Sequence, residues 1–172
     1  NIVPVENANA FPRMLAQVLK EDNCETIVVE SFTKYVEQVN TLATNSFKGY
    51  DIWSFYNRTI RNMLDSIKND KATIIFTAVD DIVKIPQITG GESSHRRVKV
   101  QGKVHEGAVE KEFLMVLFTE VRKNEKTEEM EYFFQTNTDG VTSAKTPMGM
   151  FDTQLIPNDI VEVLKKAEEY YA

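Results

Sequence analysis

Hydrophobic and polar positions along this chain follow two rhythms, first helical and then strand-like. Phe11, Met14, Leu15, Val18 and Leu19 recur at helical spacing, and Pro12 is tolerated there because a first-turn N–H has no intrahelical partner. After the polar break Glu21-Asp22-Asn23, Thr26-Ile27-Val28-Val29 is an unbroken apolar, β-branched run. Such a run predicts a strand covered on both faces, as in a parallel sheet. Two helical patterns follow. One carries Val36, Val39 and Leu42; the other opens near Asp51, a candidate N-cap, and carries Ile52, Tyr56, Ile60, Met63, Leu64 and Ile67. Ala72–Thr77 is a second apolar strand, so strand, helices and strand form a parallel crossover unit.

Beyond residue 80 the texture changes. Pro86, Gly90, Gly91, Ser93 and Ser94 predict a loop, followed by strands at Arg97–Val104, Phe113–Val121 and Met130–Thr136. The charged stretch Arg122–Glu129 joins the last two as an exposed antiparallel hairpin, and Tyr132, Phe133 and Phe134 read as core. A loop with Gly140, Pro147 and Gly149 leads to a final helix. That helix starts at Pro157 or Asn158 and carries Ile160, Val163, Leu164, Ala167 and Tyr171 on one stripe.

The chain has 172 residues, 42% of them hydrophobic and 27% charged, which is the composition of one globular domain. The longest apolar run, Phe113–Phe118, is strand-length, so no membrane span is expected. Cys24 is the single cysteine, which excludes an internal disulfide and, with no secretory signal in view, favours the cytoplasm. The sequon Asn57-Arg58-Thr59 lies within a helical pattern and reads as chance. A net charge of −6 argues against coating nucleic acid with the whole surface but leaves room for one basic patch.

That patch is a candidate strand. His95-Arg96-Arg97 precedes an alternation in which Arg97, Lys99, Gln101 and Lys103 point one way and Val98, Val100, Gly102 and Val104 the other. A basic face of this kind can follow a phosphate backbone. It can equally be an edge strand that lysines protect from aggregation. No aromatic residue interleaves the cations, so base stacking is not expected there. His95 and His105 lack zinc-site spacing, and no serine stands in a nucleophile elbow.

The other candidate chemistry stands where the first strand ends, at Glu30-Ser31-Phe32-Thr33. In open α/β sheets ligands bind beyond the carboxyl ends of the strands, and in nucleotide hydrolases an acid there holds magnesium or its water shell. The plainer alternative is a helix cap.

In order and content these features resemble the RecA-like ATPases, and within them the phage nucleotide-binding or single-strand-annealing recombinases. The resemblance is carried by Thr26–Thr33, Phe47–Trp53 with Tyr56-Asn57, Ile74–Ala78, Gly102–Gly107 with Glu110–Phe113, and Thr136–Gly140 through Ser143–Phe151. It implies a single RecA-like core domain over residues 1–172: a mostly parallel α/β sheet flanked by helices, with a C-terminal antiparallel hairpin. It implies ATP and Mg2+ as cofactors, with Glu30, Ser31 and Asp80 on the nucleotide side. It also implies Lys145 as a cation reaching a neighbouring subunit's nucleotide in a homo-oligomer, and single-stranded DNA as partner, bound through Arg96, Arg97, Lys99 and Lys103.

Three departures qualify the match. Glu30 stands where the family usually has aspartate, and Val79 where a polar residue senses the terminal phosphate. No Gly-x-x-x-x-Gly-Lys-Ser/Thr occurs anywhere in the chain; in the family that loop precedes the segment matching Asn1–Lys20, so a chain beginning after it is expected. The competing expectation is a non-hydrolysing relative kept for assembly or partner binding.

Overall fold

A computed structural model describes residues 2–5, 7–21, 23–68, 71–88, 90–102, 105 and 107–172. The chain forms two compact units, Asn1–Asp81 with Val98–Val109, and Ile82–Arg97 with Glu110–Ala172.

In the first unit, helix α1 (Phe11–Val18) precedes strand β1 (Thr26–Val29), helices α2 (Phe32–Ser46) and α3 (Tyr50–Ser66), and strand β2 (Thr73–Phe76). Helix α2 starts where Ser31 takes extended dihedrals and its hydroxyl accepts the Lys34 N–H at 3.2 Å. It buries Phe32, Tyr35, Val36, Val39 and Ala43, one face at helical spacing. The cap of α3 is Gly49 rather than Asp51. Its φ of 59° and ψ of −131° suit a residue without Cβ, and Asp51 sits in the first turn.

Strands β1 and β2 pair in parallel, Thr26 with Thr73 through Val29 with Phe76, as the crossover pattern predicts. Only one face of the pair is covered. The Phe76 ring lies 6.2 Å from the rings of both Phe11 and Phe32, whereas Val28 on the opposite face is 62% exposed. An apolar run alone does not guarantee two covering layers. The expected burial on both faces is therefore corrected.

Strands β3 (Asp80–Pro86) and β4 (Glu92–Val98) are neighbours joined by residues 87–91, a connection too short for anything but an antiparallel hairpin. The Gln87 N–H donates to the Gly91 carbonyl at 3.0 Å, and Gly90 and Gly91 have φ of 88° and 85°. The loop predicted over 86–94 is thus largely paired: the Ser93 hydroxyl donates to the Ile85 carbonyl, and Lys84 meets Glu92. The predicted strand 97–104 is displaced toward the N-terminus: β4 ends at Val98, and beyond it the Lys99 N–H still donates to the Val79 carbonyl at 2.9 Å.

In the second unit β5 (Phe118–Lys123), β6 (Met130–Gln135) and β7 (Leu155–Pro157) form an antiparallel sheet in that order, followed by helix α4 (Ile160–Tyr171). The expected hairpin is present. Its turn is closed by the Asn124 carboxamide, which accepts the N–H groups of Lys126 and Thr127. The strand expected from Phe113 starts only at Phe118, because Glu110–Glu112 form a 3-10 turn closed by the Phe113 N–H. Tyr132, expected in the core, is 61% exposed, its side chain alternating to the open face of β6. Asp159, not Pro157 or Asn158, caps α4.

The architecture is mixed α/β. Among the described residues only β1 and β2 are parallel, and the strands lie in three small sheets rather than in one long parallel sheet. Among the described residues no helix is long and apolar enough to cross a membrane.

Candidate functional site at the strand ends

Parallel pairing brings two residues together that the sequence keeps 47 positions apart. Because Val29 is level with Phe76, the next residues, Glu30 and Thr77, leave the sheet side by side. There the Thr77 hydroxyl donates a hydrogen bond to the Glu30 carboxylate. The surrounding backbone is fixed: the Phe32 N–H donates to the Thr77 carbonyl at 2.8 Å, and the Val79 N–H to the Thr33 hydroxyl at 2.8 Å. The peptide between Glu30 and Ser31 is cis.

Ser31 is the helix cap, its hydroxyl occupied by the Lys34 N–H. Glu30 is not a cap; it is solvent-exposed with a hydroxyl donor beside it. Asp80 opens β3, half-buried and already engaged with other groups. Val79 is 58% exposed and contributes only backbone: its carbonyl accepts the Lys99 N–H at 2.9 Å. Thr77 is the polar residue that the sequence reading overlooked. The signal available was register, since an acid after one strand and a hydroxyl after its parallel neighbour become adjacent when the apolar runs are aligned.

The donor set suits magnesium only in a particular way. Among the described residues no three acidic, histidine or cysteine side chains converge. Magnesium, however, is commonly bound by one or two carboxylates plus phosphate oxygens and water. Glu30, with one oxygen accepting from Thr77, fits that role.

The predicted cations are distributed differently. Arg96 lies in β4 with its guanidinium 5.4 Å from the centre of the Phe118 ring, and its backbone bonds to Val141 and Ser143. Arg97, next along the strand, points to the other face. Lys99 follows the end of β4, its N–H donating to the Val79 carbonyl, and Lys103 lies outside the described residues. In the second unit Lys145 is held by its backbone, which exchanges hydrogen bonds of 2.8 and 2.9 Å with Val116.

A second polar group is buried in the first unit. His105 is 5% exposed and packs edge-on against Tyr56 at 5.9 Å. Burial, and to a smaller extent the positive charge of Arg61, hold its pKa below the ordinary value. The Tyr56 hydroxyl accepts the Gln101 N–H at 3.1 Å, which docks residues 99–102 against α3.

A parallel crossover unit with an acid and a hydroxyl at adjacent strand ends has the form of a nucleotide-binding α/β domain. Comparison with known proteins agrees. Residues 5–148 match the AAA domain family, so the chain belongs to that family, part of the AAA-type P-loop ATPase superfamily. No curated protein and no solved structure matches the chain.

Proposed function

We propose that this chain is a magnesium- and ATP-binding module that acts on single-stranded DNA in recombination or annealing of the phage type, assembled as a homo-oligomer in the cytoplasm. The single observation that supports it best is the Glu30–Thr77 hydrogen bond at the carboxyl ends of two parallel strands. In this reading Glu30 holds the magnesium ion or its water shell, with Asp80 and Ser31 on the same nucleotide-facing side. Thr77 orients the Glu30 carboxylate and is placed to sense phosphate in the role that Val79 cannot fill. Lys145 reaches a neighbouring subunit's nucleotide, and Arg96, Arg97, Lys99 and Lys103 contact DNA phosphates.

Magnesium, when bound, would neutralise charge on the terminal phosphates. The chain's own contribution is to orient one carboxylate and exclude alternative positions for it. A phosphate cradle is not supplied by any Gly-x-x-x-x-Gly-Lys-Ser/Thr in these residues. The exposed, apolar Val79 favours the second reading, a non-hydrolysing relative used for assembly or partner binding.

Titration with ATP, with and without magnesium, separates the two. Sub-millimolar, magnesium-dependent affinity supports the first reading, and no binding by the protein expressed from its gene leaves only the second. Filter binding of single-stranded DNA at two salt concentrations tests the nucleic-acid part. Charge reversal at Lys99 and Arg97 is expected to weaken binding and to reduce the salt slope by about 0.7 per lost phosphate contact.

A further inference from the structure

We propose that the solvent face of α3 is a base-stacking platform for single-stranded DNA, a surface distinct from the basic strand; this inference rests on the nucleic-acid reading above. Tyr50 at the start of α3 is 80% exposed and Trp53 is 42% exposed. Spaced i, i+3, they are neighbours on the helix surface. Arg61 lies eleven residues after Tyr50, about 16 Å along the axis and on the same side of the helix, and Arg58 is exposed one turn before it. Lys48 stands just before the helix and is exposed. Among the described residues neither arginine nor Lys48 has an ion-pair partner.

The Gln101 N–H is held by the Tyr56 hydroxyl, and Gly102 lies so close to the Trp53 ring that a Cβ there would meet it at 2.9 Å. Among the described residues, α3 itself carries two acids. Asp51 lies in the first turn, and Asp65, farther along, is paired with Lys68 at 2.9 Å.

The almost wholly exposed Tyr50 ring and the Trp53 ring, 42% exposed with one face against Gly102, stand near cations that have no ion-pair partner among the described residues, a combination that single-stranded nucleic acid satisfies: stacking on the rings and phosphates on the cations. An apolar protein surface would cover the rings but strand the guanidinium groups away from water at a cost. A duplex keeps its bases stacked among themselves and offers the rings nothing.

Trp53 is the single tryptophan, so the platform carries its own reporter. Titrating the protein with an oligothymidylate of about 15 nucleotides is expected to quench Trp53 emission saturably, and duplex DNA of equal length should not compete. Tyr50→Ala removes a ring that is almost wholly exposed, so the fold, checked by circular dichroism, should persist while affinity falls about 10-fold. Arg61→Ala should weaken binding and flatten its salt dependence. Unchanged affinity in both variants with unaltered Trp53 emission would sink the platform while leaving DNA binding elsewhere intact. If the wild-type protein binds no single-stranded DNA, the platform and the nucleic-acid reading fall together. If Tyr50→Ala changes only the sedimentation behaviour, the face is a contact between copies and the inference is wrong.

Discussion

At the scale of single residues, the site depends on which side chains the backbone makes neighbours. Glu30 was legible from sequence because an acid ending a β-branched run is visible without coordinates. Thr77 was not, because its significance comes from the level pairing of Val29 with Phe76. The helix cap that the sequence offers as the alternative role of Glu30 is supplied instead by Ser31. His105 offers a pH test. Its folded pKa lies below the ordinary 6.5, so the unfolded chain takes up the proton at higher pH than the folded one. Its contribution to stability is therefore complete above about pH 6.5 and is lost as pH falls from there toward the folded pKa. Thermal midpoints measured between about pH 7.5 and 5.5 should decline, and His105→Phe, which keeps a ring against Tyr56, should flatten that decline. Asp139 behaves as a local brace. Its carboxylate accepts the N–H groups of Val141 and Thr142, which hold its pKa down to about 2. Asp139→Ala should cost about 1 kcal/mol in denaturant unfolding.

At the scale of elements, α2 and α3 were read well because their periodicity reflects burial directly, whereas on α4 the expected stripe buries only Val163 and leaves Ile160 and Tyr171 exposed. Tyr56, Ile60, Met63 and Leu64 were placed on one stripe of α3, and all four are buried. The second half was read less well, since pairing is a backbone property that serines and glycines obscure. Glu92-Ser93-Ser94 reads as a loop by composition, yet it pairs with β3 as part of β4. That shift leaves Arg96 and Arg97 within β4 and Lys99 just beyond its end. The contact between Gly102 and Trp53 is a test of the segment that replaced it. Gly102 has φ of 73° and no room for a Cβ, so Gly102→Ala should destabilise the first unit by about 1–2 kcal/mol and shift Trp53 emission. A variant with unchanged stability and spectrum would show that residues 99–102 do not dock on α3. At the other end, Asp159→Ala removes an acceptor for the Val161 and Glu162 N–H groups and should cost about 1 kcal/mol.

At the scale of the molecule, the parallel crossover and the C-terminal hairpin were both foreseen, while the long parallel sheet was not found. Among the described residues the strands distribute into three small sheets, and Val28 leaves one face of the parallel pair open. Apolar runs show which segments can be strands, but not how many partners each acquires. The AAA domain match supports nucleotide handling, and the proposed reading assigns its metal side to Glu30 beside Thr77. The most direct measurement is the magnesium dependence of ATP affinity in wild type, Glu30→Gln and Thr77→Val. Wild type should bind more tightly with magnesium, Glu30→Gln should lose that enhancement by at least about 10-fold, and Thr77→Val should lose part of it. Magnesium enhancement that survives intact in Glu30→Gln would contradict the assignment of these strand ends as the nucleotide's metal side.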